Sequence, residues 1–105
     1  MEYILTTKQI DKLMKPYWDY MFDGSKIGKL KMRDGDIWGG VIKTNSDGVD
    51  KLLAGHPSYN SEKWYCDGAV FGTNHAIFSL KVREFLGSMT RYINDKFDIN
   101  VSEIT

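Results

Sequence analysis

The segment from Ser79 to Phe97 constrains this chain most. Val82, Phe85, Leu86, Met89, Ile93 and Phe97 fall at offsets of 3, 4, 7, 11 and 15 from the first, which keeps them on one side of a 3.6-residue period. A helix with one long apolar face must pack across whatever else the chain builds. Ser79 suits its cap. Gly87, inside the helix, costs it about 1 kcal/mol against alanine and suggests a close crossing. Arg91 and Asp95 stand four residues apart, in position to pair along the helix.

A second helix is predicted over Thr7 to Phe22. Thr6 and Gln9 have the spacing of a capping box. Ile10, Leu13, Tyr17 and Tyr20 make one stripe, and Met14, Trp18 and Met21 a neighbouring one, so the apolar face is wide and aromatic. Pro16 either kinks this helix or starts a new one near its first position. Asp23-Gly24-Ser25 stops it.

Between the helices the chain reads as strands. Ile27 to Arg33 and Asp36 to Thr44 flank Asp34-Gly35, which suits a two-residue type I′ turn. That turn sets Arg33 opposite Asp36, Met32 opposite Ile37 and Lys31 opposite Trp38. It predicts a core face of Leu30, Met32, Ile37 and Val41, and a wetter face of Lys29, Lys31, Arg33 and Asp36 with Trp38 beside Lys31. Gly39-Gly40 marks a bulge or makes room for an aromatic side chain or another backbone. Val49 to Ala54 fits a brief helix capped by Asp47 or a strand. Lys63 to Cys66 and Ala69 to Gly72 flank Asp67-Gly68, a second type I′ signal. Asp98 to Ile104 reads as a last short strand or extended tail.

The expected architecture is one two-layer α+β domain over residues 1–105. Two antiparallel hairpins with Asp-Gly turns form or join a sheet, and the N- and C-terminal helices cover one side of it.

Composition narrows the function. Fourteen basic and fourteen acidic side chains cancel, which leaves no long-range field to steer a polyanion and excludes a strongly acidic DNA mimic. The placement is uneven: residues 1–33 carry seven basic and four acidic side chains. A single cysteine cannot form an intrachain disulfide. Met1-Glu2 opens the chain without the basic start and apolar run of a signal peptide, so a cytoplasmic location is expected. No cofactor or metal is predicted. The glycines do not form a phosphate loop, and His56, His75, Cys66 and Asp67 match no closed zinc spacing.

Three tryptophans, six tyrosines and five phenylalanines are the informative surplus. Tyrosine and tryptophan give large contact area with a polar handle, which suits interfaces. The expectation is a small soluble interaction protein without catalytic machinery, of a kind that suits a phage or mobile-element accessory. Trp64, Tyr65 and Tyr59 would lead its binding surface, with His56 and Trp18, against a protein partner or a second copy. One alternative is nucleic-acid binding, in which Lys29, Lys31 and Arg33 contact phosphates and Trp38 stacks on a base. Another is a cysteine-dependent enzyme with Cys66 as nucleophile and His75 as base.

Overall fold

Each of the two long helices starts on a capping interaction that its sequence carries. In the computed structural model, which describes residues 5–105, helix α1 spans Thr7–Met21 and runs through Pro16 as one element. The Thr6 hydroxyl accepts the Gln9 N–H (3.2 Å) and the Gln9 side chain accepts the Thr6 N–H (2.8 Å). Helix α4 spans Val82–Phe97, with its N-cap at Lys81, two residues later than the predicted cap at Ser79. Ser79 has a positive φ of 57°, which is incompatible with helix, and the Glu84 carboxylate accepts the Lys81 N–H (2.9 Å) instead. Met1 and Glu2 lie outside the described residues.

Strands β1 (Lys26–Lys31), β2 (Ile37–Thr44), β3 (Asp50–His56), β4 (Lys63–Cys66) and β5 (Glu103–Ile104) form one five-stranded sheet in that order. β1 to β4 are antiparallel neighbours, and β5 returns parallel to β4. Val49 to Ala54, open between helix and strand in the sequence, is mostly β3. Short helices α2 (Gly68–Phe71) and α3 (Asn74–Ile77) link β4 to α4. The α+β class with terminal helices flanking the sheet is as expected.

Two of its details differ. The β1–β2 turn is one residue longer than the type I′ form. Met32 N–H donates to Asp36 O (2.7 Å), Gly35 N–H donates to Met32 O (3.0 Å), and Gly35 adopts φ +93°. The Asp34 carboxylate accepts the Asp36 N–H (3.0 Å), a local bond that favours a three-residue loop ending in left-handed glycine. One residue of slip exchanges the faces. Leu30 now pairs with Trp38, Ile27 with Val41, and Lys31 with Ile37. Val41 and Ile27 face the helices; Leu30 and Trp38 do not.

The second Asp-Gly pair makes no hairpin. The Asp67 side chain accepts the Ala69 N–H (2.8 Å) and caps α2. Aspartate serves equally as turn residue and helix cap. Burial of Phe71 in the core accompanies the helical choice. Cys66 therefore pairs with Ala54, not Ala69, and Tyr65 with Gly55.

The core lies between the helices and the sheet. Met14 and Trp18 of α1, with Phe22 at its C-cap, meet Phe85, Met89 and Ile93 of α4 above Val41, Leu53, Ala54 and Trp64. Leu53 is an extra residue in β3, since Val41 pairs with Ala54 but Ile42 with Leu52. This bulge lets adjacent Leu53 and Ala54 both join the core. The small residue Gly87 marks no close crossing: a Cβ there would meet only the flexible Arg91 side chain at 3.3 Å. Arg91 reaches across to Asp11 on α1 with two bonds of 2.8 Å rather than along its own helix to Asp95.

Gly39 and Gly40 serve close approach. A Cβ on Gly39 would lie 2.8 Å from Tyr59 Cβ, and one on Gly40 would run into the backbone of Ala54 and Gly55. Backbone cannot step aside as a side-chain tip can. Gly40→Ala is expected to destabilise by at least about 2 kcal/mol in urea unfolding. Gly68→Ala, where nothing lies within 4 Å, should stay within about 0.5 kcal/mol of the parent. Equal midpoints for the two variants would show that the β2–β3 contact is not tight.

Candidate functional site

Strand alternation sorts the aromatic side chains into two populations. Trp64 belongs to the core, so its neighbour Tyr65 emerges on the opposite sheet face. Val41 is also core, and Trp38, three residues before it in the same regular strand, emerges with Tyr65. His56 closes the group at the end of β3. The His56 and Tyr65 rings stack at 5.7 Å and 16°, and Trp38 lies 6.0 Å from Tyr65 and 6.3 Å from His56.

This ring cluster sits beside a row of small residues. Gly28, Gly40 and Gly55 are in register across β1, β2 and β3, and the row ends at Tyr65. Leu30, Ile42 and Leu52 share that face, and the paired Ile42 and Leu52 are buried outside the main core cluster. Tyr65 is 51% exposed. His56 Nδ1 accepts the Ser58 N–H (2.9 Å), which puts the neutral ring's proton on Nε2 and orients the imidazole.

The structure divides the residues expected to lead a binding surface. Trp64 and Trp18 are each 1% exposed and pack the core. Trp18 Nε1–H donates to the buried Ser88 hydroxyl (3.0 Å), while Trp64 Nε1–H has no partner among the described residues. Tyr59 is half-buried against Trp64 at 5.7 Å. Tyr65 and His56 remain on the open face and are joined there by Trp38.

The basic set is divided too. Lys29 and Lys31 alternate with Leu30, and so lie on the opposite face from Trp38, while Arg33 is in the loop. No strip combines the four. The Lys31–Trp38 adjacency belonged to the shorter turn.

Cys66 and His75 do not form a nucleophile–base pair. Burial pushes the Cys66 thiol up, and the Asp67 charge adds to this, the reverse of activation. His75 Nδ1 faces Leu80 O at 3.0 Å and so donates to it. Among the described residues no group of three or more His, Cys, Asp or Glu side chains is arranged to hold a metal ion.

A polar seam joins α1 to α4. Asp11, Lys15 and Asp19 stand at successive i,i+4 positions, a stripe visible in the sequence. Asp11 binds Arg91, and Asp19 takes the Tyr92 hydroxyl (2.7 Å) and Lys15 Nζ (3.1 Å). The Tyr92 hydroxyl and Lys15 hold the Asp19 carboxyl below the usual carboxylate range. Burial, then the Asp19 carboxylate, pushes the Tyr92 phenol up.

No helix is long and apolar enough to cross a membrane among the described residues. The fold and the ring cluster define a small α+β domain with two helices on one sheet face and an aromatic group on the other. The chain matches no protein-family model, no curated protein and no solved structure.

Two outcomes follow from the titrating groups. Asp19, depressed in the folded state, stabilises above about pH 4 and loses that contribution as pH falls through its folded value. Tyr92, raised in the folded state, contributes below about pH 10 and loses it as pH rises. The stability difference between parent and Tyr92→Phe, read by urea unfolding, should be flat from about pH 5 to 9 and shrink at both extremes. A difference unchanged across the whole range would exclude the Asp19–Tyr92 bond as its source. Separately, Cys66 should react with a disulfide reagent at pH 8 more slowly than free cysteine. Faster reaction would restore an activated thiolate.

Proposed function

We propose that this chain is a small interaction protein that binds a protein partner through Trp38, His56 and Tyr65. The observation that carries the reading is the convergence of three rings within 5.7–6.3 Å on the sheet face away from both long helices. Rings already packed together lose little conformational freedom on binding, and each keeps a polar atom for a directed bond. Tyr59 packs against core Trp64 and is not part of this cluster. A cytoplasmic accessory role, as in a phage or mobile element, suits a domain of this kind. A second copy of the chain is one form the partner can take.

The test is capture by the tagged chain from lysate of its native host, with and without nuclease, alongside sedimentation of the purified protein. Tyr65→Ala should leave the unfolding free energy within about 1 kcal/mol of the parent and abolish stoichiometric capture or self-association. Trp64→Ala, in contrast, should cost about 3–5 kcal/mol in stability. Unimpaired association of a folded Tyr65→Ala would remove the ring cluster from the interface. Loss of all capture on nuclease treatment would transfer the function to nucleic acid.

A further inference from the structure

A separate surface lies at the free margin of the sheet. The bond from Met32 N–H to Asp36 O makes Met32 and Asp36 a hydrogen-bonded pair. In an antiparallel ladder such pairs recur at every second residue. Leu30, Gly28 and Lys26 therefore turn their backbone groups inward to Trp38, Gly40 and Ile42. Ile27, Lys29 and Lys31 turn theirs outward. β1 is a terminal strand, and among the described residues nothing bonds to those outward N–H and C=O groups.

The same three residues share one face, at about 7 Å intervals. Lys29 and Lys31 are exposed, and Ile27 is half-buried against the core. Neither lysine, nor neighbouring Lys26 and Arg33, is in an ion pair among the described residues, although Lys15, Lys51, Lys63 and Arg91 all are. Lysines on an edge repel a second copy of the same edge. They also select the charge of whatever strand can add there.

We propose that the outer edge of β1 accepts an extended acidic segment of a partner protein as a sixth strand. The segment places an apolar residue beside Ile27 and carboxylates beside Lys29 and Lys31. Strand addition uses main-chain bonds for affinity and alternate side chains for selection. A nucleic-acid strand is the weaker occupant. Phosphates only accept, so they leave the outward carbonyls unpaired, and Trp38 lies on the other face with no ring to offer beside the lysines. The inference goes beyond the ring-cluster reading and does not depend on it.

The probe is a capped synthetic peptide of sequence Glu-Thr-Glu-Thr-Val-Thr-Glu-Thr-Glu, which presents the same pattern in either strand direction. It is added to the full-length isotope-labelled chain, and amide exchange is followed by NMR. Exchange should slow at Ile27, Lys29 and Lys31 and stay unchanged at Gly28 and Leu30. Lys29→Glu with Lys31→Glu should weaken binding about tenfold or more, while Tyr65→Ala should leave it intact. N-methylation of the alternate peptide amides that face β1 keeps the charge and should abolish binding. The inference is overturned if the three amides gain no protection, if the N-methylated peptide binds as well, or if oligothymidylate binds in preference to the peptide.

Discussion

Trp18 holds the helical layer together. It is 1% exposed, and its ring lies 5.0 Å from Phe85, 6.0 Å from Phe22 and 6.1 Å from Phe71. Those contacts join α1, α2 and α4 around one side chain. Burying so large a ring strips water from its N–H, a cost that a hydrogen-bond acceptor offsets. Ser88 supplies it, itself buried on α4. The bond fixes which faces of α1 and α4 meet, and the polar seam of Asp11–Arg91 and Asp19–Tyr92 follows along the rim of the same crossing.

Both long helices lie on one sheet face, and this asymmetry shapes the rest of the molecule. Alternation then commits most strand residues to the covered face or the open one, and His56, the last residue of β3, instead stacks on Tyr65 of the open side. Trp64 goes under the helices, and Tyr65 and Trp38 go to the open side. The bulge at Leu53 adjusts the count in β3, so that Leu53 and Ala54 both reach the core while Leu52 joins Ile42 outside it. The small residues Gly40 and Gly55 permit a backbone approach that no side chain would tolerate, and the ring cluster is assembled beside them.

The sheet margins differ in kind. β5 is only two residues long and offers little template. β1 is six residues long and carries lysines at both ends and in between. A long edge without such charges would invite indiscriminate pairing. With them, the edge disfavours pairing with a second copy of itself.

Much of the fold is legible in the sequence because its signals are local. The period of α4, the Thr6–Gln9 capping box and the Asp34-Gly35 turn each act within a few residues. They suffice for two helices, a first hairpin and the α+β class. The Asp11, Lys15 and Asp19 stripe was equally visible, but its partners Arg91 and Tyr92 lie on another helix, too far along the chain for spacing to identify. The faces of β1 and β2 hinged on one residue of turn length, decided by the Asp34 side chain and Gly35. Asp67-Gly68 could turn a hairpin or cap a helix, and the local chemistry is the same for both; only the core that receives Phe71 distinguishes them. Trp64 and Tyr65 are adjacent and similar, so nothing in the sequence says which is buried. The sequence by itself determined the two long helices and the first hairpin, through bonds and periods that close within a turn or two. The tertiary structure decided register, exposure and the makeup of the candidate surface, because the inward side of a strand is defined only by what packs against it.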